Sequence, residues 1–279
     1  MKKWMLLLVA ATGAVSPVPC HAQEPSEMSA KLHLGKAEPK AIRVATFNVS
    51  LYRKKENQLA DELKGGKNEQ AKRLAKIIQA VSPDVILLNE IDDDQGKSAQ
   101  LFIDEYLNVG LTEQLAYRYW SSPAVNTGVP SNLDLDLNGK TGGASDAWGY
   151  GEYPGQYGLA VISRYPIEHS AIRTFQKFRW CEMPGALRPR TIDGESYYPE
   201  ETWKQLRLSS KSHADIPIEI DGHRLHVLAS HPTPPVFDGA EDRNGCRNSD
   251  EIRMWLDYVQ GGEQAAYLVD DQGNRGGLG

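Results

Sequence analysis

Cysteine is scarce in this 279-residue sequence, and none of the three cysteines has a second one at metal-ligand spacing. A zinc-finger or zinc-ribbon framework is therefore excluded, since such sites take paired cysteines or histidines a few residues apart. Positive charge is also in deficit: 31 Lys and Arg against 37 Asp and Glu leave a formal charge of −6. An acidic chain does not draw polyanions over long range, which argues against duplex binding through a broad basic face. No internal repeat occurs. After the N-terminus there is no apolar run of membrane-spanning length.

The N-terminus itself is apolar. Lys2 and Lys3 precede the uncharged run Met5 to Val15, and Cys20-His21-Ala22 offers small residues at the two positions a signal peptidase reads. This three-part layout predicts a signal peptide over residues 1–22, cleaved after Ala22, and a secreted or periplasmic protein. Cys20 as a lipidated residue is the alternative, but the preceding Pro-Val-Pro matches it poorly. Cleavage would leave Cys181 and Cys246, which in an oxidising compartment read first as a disulfide and otherwise as two buried thiols.

Residues 23–40 are polar and read as a linker, with one domain over 41–279. Ile42 to Asn48 alternates as a half-buried strand does. Asn68 to Val81 changes to a helical period, with Ala71, Leu74, Ile77, Ile78 and Val81 on one face and Pro83 as a stop. Val85-Ile86-Leu87-Leu88 suits a strand covered on both faces. Residues 121–157, rich in Gly, Asp, Asn and aromatics, read as a long insertion. Leu159–Ser163 is a strand, and Asp221-Gly222 between two strand patterns predicts a hairpin. Residues 248–260 read as a helix capped by Asn248 with Glu251 three residues on, and Ala265 to Val269 as a weak strand.

Asn48 and Glu90 close the first two core strands, where functional groups of α/β sheets gather. Oxygen donors of this kind suit Mg²⁺ or Mn²⁺; the bland alternative is a solvated loop, Glu90 with Asp92-Asp93-Asp94. Asp134-Leu135-Asp136-Leu137-Asn138-Gly139 fits the first half of a Ca²⁺ loop, so Asp134, Asp136 and Asn138 are candidate calcium ligands. The twelfth position is Ser145, with Asp146 one residue late; an Asp/Asn-rich turn is the competing reading.

Four segments carry a resemblance. Val44-Ala45-Thr46-Phe47-Asn48 and Leu87-Leu88-Asn89-Glu90-Ile91 resemble the first two motifs of the endonuclease/exonuclease/phosphatase superfamily. Gly158 to Ile167 resembles its central strand, and Leu225 to Pro232 the strand that ends in its first active-site histidine. The resemblance implies an α/β fold of the DNase I-like kind, a β-sandwich of two mixed sheets flanked by helices. It implies a metal-dependent phosphoesterase with Asn48 and Glu90 at the metal, Glu90 a direct ligand, and His231 on a phosphate oxygen. His213, Asn244 and Arg247 are candidate substrate contacts, with capping and surface solvation the alternative.

The family's later Gly-Asp-x-Asn does not occur after residue 231, and its Ser-Asp-His occurs nowhere. The expectation is a C-terminally incomplete chain, inactive alone, with its last strands missing and a sheet edge left open. Phosphodiesters are the expected substrates, nucleic acid among them. The competing function is a non-catalytic, calcium-ordered exported binding protein on the same scaffold.

Overall fold

The computed structural model describes residues 5–10, 41–92 and 95–278. The expected cleavage point after Ala22, the linker 23–40, and Asp93 and Asp94 lie outside the described residues.

The strands in chain order are β1 (Met5–Ala10), β2 (Val44–Leu51), β3 (Val85–Ile91), β4 (Tyr119–Ser121), β5 (Gly158–Ser163), β6 (Arg173–Thr174), β7 (His213–Ile220) and β8 (His223–Ser230). The helices are α1 (Gln58–Leu63), α2 (Glu69–Val81), α3 (Lys97–Phe102), α4 (Glu200–Trp203) and α5 (Arg243–Gln260). One sheet has the order β2-β3-β5-β4 and the other β1-β8-β7-β6. Both mix parallel and antiparallel pairs: β2 with β3 and β1 with β8 are parallel, the other pairs antiparallel.

Strand alternation decides what each face covers. Val85, Leu87, Leu159 and Val161 of the first sheet meet Ala214, Ile216, Ile218, Leu225 and Val227 of the second in one apolar layer. The opposite face, with Ile86, Leu88, Ala160 and Ile162, packs on Ala71, Leu74 and Ile78 of α2 and on Phe102 of α3. Outside the second sheet, Leu228 and Phe175 pack against Met254, Trp255 and Tyr258 of α5. The result is the expected sandwich flanked by helices.

Local signals explain the boundaries. Asn68 caps α2, its side chain accepting from Ala71 N at 3.0 Å. Asp221 (φ 50°) and Gly222 (φ 78°) make the tight β7–β8 turn. Two readings need correction. The last helix starts at Arg243, not Asn248, and neither Asn248 nor Glu251 caps it: Asn248 donates to Thr233 O, and Glu251 is buried. Ala265–Val269 is no strand; a 3₁₀ turn runs over Gly262–Ala265, and Val269 makes one isolated bridge to Arg275. β1, which falls within the segment expected to be cleaved, pairs with the outer flank of β8 in register from Met5 opposite Leu225 to Ala10 opposite Ser230; its removal leaves that flank of β8 without a partner among the described residues.

Candidate active site

The parallel strands β2 and β3 end side by side, and their pairing breaks where the candidate ligands sit. Asn48 pairs with Asn89 and Leu51 with Ile91, so Val49 and Ser50 oppose Glu90 alone. On the other flank Asn89 pairs with Leu159 and Ile91 with Gly158, leaving Glu90 as an extra residue. Glu90 is thus the bulge residue of β3, with φ 59° in the left-handed region; Ser50 opposite has φ 47°. That conformation costs a non-glycine residue of the order of 1–3 kcal/mol, and bulges of this kind re-aim side chains beside functional sites.

The strained segment is held from below by Asp92. Its carboxylate accepts from Arg53 N (2.7 Å), the Tyr153 hydroxyl (2.7 Å) and Tyr157 N (3.1 Å). Burial pushes its pKa up against the pull of these donors. Read in sequence as part of a solvated loop, Asp92 instead ties the insertion to the end of β2. Gln156 adds a bond to Arg53 O at 2.7 Å. The rings of Tyr52 and Tyr157 lie 4.6 Å apart, and Tyr157 and Glu90 are within electrostatic reach.

His231 follows β8 directly. Its Nε2 is 4.0 Å from Glu90 Oε1, both side chains are largely buried, and its Nδ1 is buried with no hydrogen-bond partner. Desolvation, aided by the charge of Lys211, lowers the His231 pKa to about 3, so the ring is neutral near pH 7. Lys211 acts on Glu90 as well, and desolvation holds its own pKa below the usual lysine range. Its sequence signal was slight, one cation beside the more conspicuous His213.

Two loops bring these groups together, and Glu251 joins them. Oε1 of this fully buried carboxylate accepts from Ser210 N (2.7 Å) and Ser210 Oγ (2.9 Å), and Oε2 from Thr233 N (2.6 Å). The backbone just before Lys211 and just after His231 is thereby held by one residue of α5.

The sequence profile of the endonuclease/exonuclease/phosphatase family matches residues 45–259, from β2 through most of α5. The chain belongs to this family. Two solved structures are similar to it. One, an endonuclease/exonuclease/phosphatase family protein from Leptotrichia buccalis C-1013-b, shares 18% identity over 76% of this chain and 62% of its own, with a TM-score of 0.38. The other, an endonuclease/exonuclease/phosphatase from Beutenbergia cavernae DSM 12333, shares 14% identity over 76% of this chain and 42% of its own, with a TM-score of 0.36. The chain therefore spans less than two thirds of either. A search of curated proteins returns no match.

Within this family fold, the weaker sequence candidates take structural positions. His213 is buried, with Nδ1 2.6 Å from Ser209 Oγ and Nε2 2.8 Å from Glu251 O, so neither nitrogen is left for a substrate. Arg247 spends its guanidinium on the carbonyls of Leu208, Trp148 and Arg207. Asn244 braces its own loop, its side-chain amide donating to Val236 O and its backbone N–H to Asp238 Oδ2. Cys181 and Cys246 are free thiols rather than a disulfide; Cys181 Sγ points at Lys204 O, 3.6 Å away, while Cys246 lies in the first turn of α5. Among the described residues no helix is long and apolar enough to cross a membrane.

A divalent metal fits what remains. Glu90 and Asn48 offer oxygen donors of the kind a hard divalent cation takes: Asn48 Oδ1 accepts from Ser50 N at 3.1 Å, and Glu90 faces a neutral His231 at 4.0 Å and the Lys211 charge.

Proposed function

We propose that the protein is an exported, Mg²⁺- or Mn²⁺-dependent phosphoester hydrolase acting on phosphodiesters, nucleic acid among them. The observation that carries this reading is the convergence of Glu90, on its strained bulge, with His231 at 4.0 Å and the Lys211 charge. Glu90 and Asn48 would hold the metal, which when bound neutralises charge on the non-bridging oxygens and polarises the phosphorus centre. His231, a neutral imidazole, carries one N–H that can donate to a phosphate oxygen. Lys211 supplies positive charge where negative charge builds up in the transition state. Export rests on the N-terminal sequence layout alone.

The test is hydrolysis of bis(p-nitrophenyl) phosphate by the protein expressed from its whole reading frame. Turnover is expected to need added Mg²⁺ or Mn²⁺, to vanish with EDTA, and to fall about 100-fold or more in Glu90→Ala and His231→Ala, the usual cost of losing such a group. Turnover unchanged by both substitutions would refute the site.

A further inference from the structure

We propose a second cation site, separate from the catalytic one, in which Asp134, Asp136 and Asp146 bind Ca²⁺ and staple the 121–157 insertion. Their carboxylates approach one another within 4.8 Å. Proximity alone is weak ground, because acidic clusters are common on surfaces. The deciding group is Asp146, which is 2% exposed. Its Oδ1 accepts from Leu135 N at 2.7 Å, but Oδ2 is buried with no hydrogen-bond partner. A buried carboxylate oxygen left bare among other carboxylates is costly unless a cation completes it. Among the described residues none of the three acids is in an ion pair with Lys, Arg or His.

The loop is shaped before any ion arrives. Asp134 accepts from Asn138 N (3.0 Å) and Gly139 N (2.8 Å), and Asp136 from Asn138 N (3.2 Å). Gly139, at φ +83°, makes the turn. Each carboxylate keeps lone pairs for a hard cation that accepts six to eight oxygens, a better match to a flexible loop than the strict octahedron of Mg²⁺. Ordinary loop spacing put Ser145 in the closing position; the fold instead brings in Asp146, whose own carbonyl is gripped by Ser131. Asn138 is drawn off, its Oδ1 accepting from Lys140 N. The bound ion would fix both ends of the 134–146 stretch, which continues into Tyr153, Gln156 and Tyr157 at the rim of the active site.

The experiment is a Tb³⁺ titration of the full chain, reading emission sensitised by the protein's aromatic residues, then displacement by Ca²⁺, with thermal melts in Ca²⁺ and in EDTA. Wild type is expected to show saturable emission reversed by Ca²⁺, and a Ca²⁺-dependent rise in Tm. Glu90→Gln should keep both, separating this site from the catalytic one. Asp146→Asn and the more exposed Asp136→Asn should each weaken binding about tenfold or more, because Ca²⁺ affinity follows ligand charge. Asp136→Asn keeps the inference testable if Asp146→Asn fails to fold. Absence of saturable emission, equal affinity in wild type and Asp136→Asn, or loss of the signal in Glu90→Gln would overturn the assignment.

Discussion

Replacing Glu251 with Gln tests whether one buried carboxylate organises the two loops that carry Lys211 and His231. In the wild type it accepts three bonds, two from Ser210 and one from Thr233. An amide of the same shape has one oxygen. Turned toward Ser210 it leaves its NH₂ against the Thr233 N–H; turned the other way it faces the Ser210 amide. Either orientation loses at least one bond to a charged acceptor, worth about 1.5–3 kcal/mol, and leaves a buried donor unsatisfied at a similar cost. Remaining bonds weaken as the acceptor becomes neutral. Allowing for relaxation, a loss of about 3 kcal/mol is expected, which for a domain of this size is a fall in Tm of about 6–12 °C. Calorimetry reads the fall. Hydrogen exchange reads the cause, with Ser210 and Thr233 amides losing protection ahead of the β3 core. A Tm within about 2 °C of wild type, with both amides still protected, would refute the reasoning.

Two other outcomes follow from the geometry. Burial lowers the His213 pKa in the folded state below its ordinary 6.5, so the unfolded chain binds the proton more readily. The associated stability is fully present above about pH 6.5 and is lost as pH falls toward the folded pKa; urea midpoints should drop over that range, and less so in His213→Gln. Gly149→Ala would place a Cβ 1.8 Å from the carbonyl oxygen of Ser210, a backbone atom that cannot turn away. The expected cost is about 3 kcal/mol or more, read by urea unfolding, with the Ser210–Thr233 region disturbed first.

Sequence pattern foretold elements whose causes are local. The helical period up to Val81, the apolar run of β3 and the Asp221-Gly222 turn each act within a few residues, and each appears where expected. Groups defined by distant partners were illegible. Glu251 fits a capping pattern, yet its donors lie 41 and 18 residues away. His213 sits among polar neighbours in sequence but is enclosed by Ser209 and Glu251. The bulge at Glu90 depends on unequal pairing to two neighbouring strands, which no single segment encodes. Asp146 fell one place out of register with a standard calcium loop because the insertion closes on its own geometry.

The left-handed backbone at Glu90 sets evolution two opposed tasks at one codon. Glycine occupies φ 59° without strain, so Glu90→Gly removes a steric burden and, judged by folding alone, is an attractive change there. It also deletes the carboxylate. A population selected only for heat resistance or expression would be free to drift toward glycine at this position, while one selected for the chemistry would be held at a residue the backbone disfavours. On the proposed metal role, glutamate at φ 59° gives up backbone stability in exchange for a ligand.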